Sequence, residues 1–145
     1  MRLFTIGFTK KTASQFFETL RAAHVARVVD VRLNNVSQLA GFAKKQDLAY
    51  FLDKIDSIKY RHVPLLAPTQ EMLDTYKKRR GTWDEYERNF LQLMEERRIE
   101  ASWAQELRDG DCLLCSEEKP DHCHRRLVAE YLAAQDDEIR IKHLG

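Results

Sequence analysis

The chain has 145 residues, 24 Lys and Arg against 23 Asp and Glu, 43% hydrophobic and 32% charged residues, and a formal net charge of +1. That length suits one domain with a genuine core, and the composition excludes disordered and fibrous classes. The small net charge gives no global attraction for nucleic acid, membranes or acidic partners, and no apolar run approaches the roughly 20 residues needed to span a bilayer.

The start, MRLFTIGFTKK, lacks the apolar core of a secretory leader. With it go three cysteines, an odd number that fits reduced thiols better than a disulfide framework. The expectation is one cytoplasmic α/β domain over residues 1–145. Basic residues cluster in YKKRRG (76–81) and EERR (95–98), where a solvated helix face is the simplest reading.

Strand-like and helix-like segments alternate along the chain. RLFTIGF (2–8) reads as a strand, and TASQFFETLRAAH (12–24) as a helix opened by a Thr12-x-x-Gln15 capping box. ARVVDVRL (26–33) is a second strand. Leu48, Phe51, Leu52 and Ile55 mark a short amphipathic helix over 47–56. IKYRHVP (58–64) is a third strand stopped by Pro64, and a helix over 69–80 turns Met72, Leu73 and Tyr76 inward. A second capping box, Thr82-x-x-Glu85, opens a helix whose stripe of Trp83, Tyr86, Phe90, Leu93 and Met94 reads as core. Trp103 and Leu107 suggest a further helical piece. DCLLCSE (111–117) is the fourth strand, DHCHRRLVAEYLAAQ (121–135) a helix, and IRIKHL (139–144) the last strand.

This alternation predicts a single three-layer α/β/α domain around a mainly parallel sheet of about five strands. In such sheets ligands bind beyond the carboxyl ends of the strands. Strand one ends in Gly7 and Thr9, where the backbone can approach closely and free N–H groups favour an anion. Strand two ends in Asp30 and Arg32, which share a face: either an internal ion pair or an acid–base group beside an anion-holding arginine. The loop after it, 33–46, is long enough to be a binding loop and offers Ser37 and Lys44. Tyr60 and His62, two apart on strand three, enter the site or the core together.

The sulphurs lie in DCLLCSEEKPDHCHRR (111–126). Along an extended strand Cys112 and Cys115 stand roughly 10 Å apart and face opposite sides, beyond the roughly 7 Å a disulfide tolerates. Cys112 therefore reads as core and Cys115 as the strand exit. Cys123 and His124 fall in the first turn of the next helix, with Asp121 as its N-cap after Pro120, and a helix N-terminus can lower a thiol's pKa. Zinc held by Cys115, Cys123 and His124, with His62 or Cys112 as fourth ligand, is disfavoured because neighbours on a helix project about 100° apart. No metal or other cofactor is expected. Arg125 and Arg126 at the positive end of the helix dipole point to a nearby phosphate or carboxylate.

TIGFT (5–9), DVRLNNVS (30–37) and LLCSEEKPDHCHR (113–125) resemble motifs of a family known as domain of unknown function 488, with the element order fitting nearly the whole chain. Phe8 stands where that family usually has histidine, and PLLAP (64–68) replaces a more glycine-rich segment. The resemblance implies a three-layer α/β fold. It adds weight to Asp30, Arg32, Cys115, Glu117, Cys123, His124 and Arg125, without supplying a reaction.

The leading expectation is an enzyme for a phosphate-bearing substrate, a nucleotide or nucleic acid, working by hydrolysis or glycosyl transfer. Arg32 and Arg125 would hold the phosphate, Asp30 or Glu117 would act as acid or base, and His124 would be the partner proton donor. Gly7, Thr9, Ser37, His62 and Cys115 would line the site. No P-loop or dinucleotide fingerprint is present. One alternative is a binding or regulatory module without turnover, with the basic clusters touching a nucleic-acid backbone. The other is thiol chemistry at Cys123 or Cys115 activated by His124, or a zinc site.

Overall fold

A computed structural model describes residues 1–34 and 41–145. Among them run five strands, β1 (Arg2–Gly7), β2 (Arg27–Asp30), β3 (Lys59–His62), β4 (Asp111–Cys115) and β5 (Arg140–His143). They form one sheet in the order β3-β2-β4-β1-β5, every neighbouring pair parallel. The central strands β1, β2 and β4 are buried almost throughout, as a sheet covered on both faces requires.

Side chains alternate between the faces. Phe4, Ile6, Val28, Cys112 and Leu114 lie under α1 (Ala13–Ala22) and α2 (Lys45–Asp56), which contribute Phe16, Leu20, Leu48 and Leu52. Leu3, Val29, Val31, Leu113 and Cys115 lie under α4 (Trp83–Glu96), α5 (Ile99–Ser102) and α6 (His124–Gln135) through Phe90, Met94, Ile99, Leu127 and Val128. Between them α3 (Gln70–Lys77) leans Met72, Leu73 and Tyr76 on that second layer. The three-layer α/β/α reading of the sequence is therefore the observed architecture. Among the described residues no helix is long and apolar enough to cross a membrane.

Local chemistry sets the boundaries. The Thr12 capping box forms as expected, Gln15 N–H donating to Thr12 Oγ1 at 3.1 Å and Thr12 N–H to Gln15 Oε1 at 2.9 Å. At the end of α2, Ser57 turns left-handed (φ 53°) and Ile58 N–H closes on Leu52 at 3.0 Å, so β3 starts one residue later than the apolar pattern implies. The helix expected over 121–135 starts at His124: Cys123 is its extended N-cap (φ −135°, ψ 137°), held by a 3.2 Å bond to the Pro120 carbonyl. That three-residue shift matters for the site below.

At the amino ends of β2 and β4, Arg27 donates to Asp111 through Nε at 2.8 Å and Nη2 at 2.6 Å, inside the protein. Asp111 also accepts from the Arg108 N–H at 2.9 Å. Removing one side of such a pair leaves a buried charge alone. Asp111→Ala is expected to cost about 3–5 kcal/mol in urea unfolding, and a loss below about 1 kcal/mol would contradict this role.

Candidate functional site

The carboxyl ends of β1, β2 and β4 lie side by side, and the turn after β4 folds back over β1. A Cβ at Gly7 would overlap the Glu117 carbonyl, so only glycine admits that turn. Thr9 N–H then bonds the Ser116 carbonyl at 3.0 Å. Arg125, fully buried, pins the turn from beneath: Nη1 donates to the Glu117 carbonyl at 2.8 Å, Nη2 to Glu118 at 3.4 Å and Nε to Thr5 Oγ1 at 3.4 Å. Gly7 and Arg125 thus answer to the chain's own carbonyls, where the sequence suggested an external anion.

Asp30 and Arg32 pair at the end of β2. Arg32 donates to Asp30 through Nε at 2.9 Å and Nη2 at 2.7 Å, and its backbone N–H adds a third bond at 3.1 Å. Tyr60 hydroxyl donates to the same carboxylate at 2.5 Å. Nη2 reaches the Ala43 carbonyl at 2.7 Å, and the guanidinium lies 5.2 Å from the Phe8 ring centroid. Burial opposes the Arg32 charge, but Asp30 outweighs it and raises the pKa further. Asp30 is thereby the clamp that aims Arg32. His62 bonds the Arg32 carbonyl at 2.7 Å and braces the same strand exit.

Arg32 Nη1 is different, being buried without a hydrogen-bond partner among the described residues. Trp103 Nε1 and Arg126 Nε share that condition, but neither residue lines the cavity described below.

The third group is Cys115, Cys123 and His124, only 5%, 2% and 6% exposed. Their sulphurs and a ring nitrogen all lie within 4.8 Å of one another. His124 Nε2 sits 2.7 Å from the Val31 carbonyl and must carry a proton to bond it, which leaves Nδ1 facing Cys115 Sγ at 3.6 Å. The Cys123 S–H bonded to Cys115 holds the Cys115 thiol well below the ordinary range despite burial, helped by His124 and the Ser116 N–H. Burial and the neighbouring Cys115 push Cys123 up. Burial disfavours charge on His124, but the Cys115 sulphur and Val31 carbonyl raise its pKa. Cys112, on the opposite face in the other half of the core, is pushed up by burial. Cys123 and His124 do not project apart as helical neighbours would: with Cys123 extended and outside the helix, both converge on Cys115.

These residues open on a cavity of about 340 Å³. Arg32, Cys115, Cys123 and His124 line it; Phe8, Tyr76, Trp83 and Tyr86 supply aromatic wall. Glu117 stands half-exposed on the wall, paired with Lys77 at 2.9 Å. His122 stacks on Trp83 with ring centroids 5.0 Å apart. A separate hollow of about 290 Å³ between α3 and α4 carries no comparable group of reactive side chains.

Of the residues singled out in the sequence, the cavity wall gathers Arg32, Cys115, Glu117, Cys123 and His124. Gly7, Thr9, Asp30, His62 and Arg125 do not line it: Asp30, His62 and Arg125 support it through their hydrogen bonds, Gly7 admits the turn, and the exposed Thr9 bonds the Ser116 carbonyl through its backbone N–H. Ser37 falls outside the described residues. Sequence reasoning missed the aromatic wall, because Trp83 and Tyr86 belong to the helical stripe that also supplies the core residues Phe90 and Met94. Phe8, at the end of the strand expected over 2–8, was the available signal.

The fold is a parallel α/β/α sandwich with a lined cavity beyond the strand ends. The chain belongs to the family described as domain of unknown function DUF488, whose model matches residues 12–132 and so begins after TIGFT. It matches no curated protein and no solved structure.

Arg125→Met separates the structural role from an anion-binding one. Three bonds to a buried guanidinium disappear, so stability should fall by about 2–4 kcal/mol, and Cys123 should react faster with a thiol reagent as the turn loosens. Unchanged unfolding and unchanged Cys123 reactivity would refute the pinning role.

Proposed function

We propose that this protein is an enzyme acting on a small phosphate-bearing substrate of nucleotide type, by hydrolysis, with its reacting centre at Cys115, Cys123 and His124. The observation that carries this reading is the buried Nη1 of Arg32, unpartnered among the described residues, on a side chain that lines the same cavity as that trio. A buried donor left unsatisfied costs roughly 1–3 kcal/mol, and an oxyanion in the cavity relieves that cost. With Nε and Nη2 clamped by Asp30, Nη1 is pre-aimed, and a guanidinium suits phosphate better than an ammonium does.

The cavity volume, about 340 Å³, falls at the small end of ligand pockets, about 300–1,000 Å³. Its aromatic wall of Tyr76, Trp83 and Tyr86 suits a planar ring carried on the phosphate. Glu117, which with Asp74 brings a carboxylate to the wall, would exchange protons with a bound substrate, whereas Asp30 serves as clamp. Glycosyl transfer by two carboxylates loses its support with Asp30 held behind the wall.

Arg32→Lys keeps the positive charge beside Asp30 but loses Nη1. By calorimetric titration with nucleoside monophosphates, the wild type should bind at least one. The variant should bind it about tenfold more weakly, the ~1.4 kcal/mol of one charge-assisted hydrogen bond. Equal affinities would defeat the reading. Binding with no product under single-turnover conditions would favour a regulatory module instead.

A further inference from the structure

We infer that Cys115, Cys123 and His124 form a three-ligand site for a thiophilic metal ion of the zinc class, its fourth position open to the cavity. Ideal tetrahedral zinc, with bonds of about 2.3 Å to sulphur and about 2.0–2.1 Å to nitrogen, places S and N roughly 3.6 Å apart and two sulphurs roughly 3.8 Å apart. Cys115 Sγ and His124 Nδ1 stand 3.6 Å apart, and all three donor atoms fall within 4.8 Å of one another.

The imidazole is oriented as metal ligands require. Nε2 donates to the Val31 carbonyl at 2.7 Å, which fixes the ring and leaves the Nδ1 lone pair facing the Cys115 sulphur at 3.6 Å. That bond comes from the β2 exit, the sulphurs from the β4 exit and the N-cap of α6, so three elements hold the donors. Two soft thiolates and one imidazole favour zinc and its relatives over magnesium or calcium, which want oxygen. Two protein sulphurs, one histidine and a vacant fourth position match the donor count of catalytic rather than structural zinc.

A cation here also answers an electrostatic need. Cys115 and Cys123 lie nearly enclosed, and a doubly charged ion lets both release their protons to solvent without leaving two bare thiolates inside the protein. An ion at the floor of the cavity would polarise a substrate oxygen occupying its fourth position, while Arg32 Nη1 holds the anionic group. In that catalytic sense the inference rests on the proposed function; metal binding itself does not.

The test is reduced, metal-free full-length protein titrated with Co²⁺ and with Zn²⁺ under anaerobic conditions. One Co²⁺ per chain should bind, with an intense near-ultraviolet sulphur-to-cobalt band and the visible bands of a tetrahedral ion, all displaced by Zn²⁺. Zn²⁺ should shield Cys115 from iodoacetamide. Cys123→Ser, a near-isosteric change, should weaken binding at least about a hundredfold, since even losses beyond the ligand shell cost about 10–100-fold. Arg32→Lys should leave the cobalt spectrum unchanged, which separates this claim from the substrate reading.

Absence of sulphur-to-cobalt absorption in the folded wild type overturns the metal site. So does a band indifferent to Cys123→Ser, or alkylation of Cys115 at the same rate with and without Zn²⁺. Metal bound normally while no nucleotide binds would sink the substrate reading alone. Nucleotide bound through Arg32 with no metal uptake would sink the metal site alone.

Discussion

The buried guanidinium of Arg125 holds the turn between β4 and α6, and the rest of the site depends on that hold. It reaches the carbonyls of Glu117 and Glu118 from below, while the absence of a Cβ at Gly7 lets the same turn settle on β1. A carbonyl facing the interior must find a donor, and a guanidinium can serve several in one plane. Once the turn is fixed, Cys123 arrives extended at the head of α6 and faces Cys115 across the gap. Without that hold nothing in the sequence spacing brings the two sulphurs together.

A second arginine does a complementary job. Arg32 is held by Asp30, itself steadied by Tyr60, so two of its nitrogens are fixed and, among the described residues, Nη1 is left without a partner. Arginine in each case supplies a rigid fork, used inward at Arg125 and in part outward at Arg32. The two guanidinium groups therefore answer to different partners, a carboxylate in one case and backbone carbonyls in the other. Among the described residues this buried donor without a partner belongs to a side chain that lines the same cavity as Cys115, Cys123 and His124, the kind of local inconsistency that marks functional sites.

Much of the fold was legible because period-two and period-3.6 patterns are strong here. The buried runs of β1, β2 and β4, the Thr12 cap, and the opposition of Cys112 and Cys115 across the sheet follow from alternation alone. The strand order was not legible, since β4 slips between β1 and β2 through long-range pairing that no local pattern encodes. Helix starts are soft in sequence, and the error of three residues at α6 turned Cys123 from a partner of His124 into an apparent misfit. The partners of Arg125 were not legible for a related reason: a basic residue in a first helical turn suggests an anion, and here it bonds the turn's own carbonyls. Trp83 and Tyr86 were hidden in an apolar stripe whose two ends face different surroundings, cavity at one end and core at the other.

X-ray absorption at the zinc edge of the loaded protein tests the convergence of these donors most directly. The account predicts two sulphurs at about 2.3 Å and two lighter atoms at about 2.0–2.1 Å, one of them histidine nitrogen. A first shell made wholly of light atoms, or of four sulphurs drawn from separate chains, would contradict it.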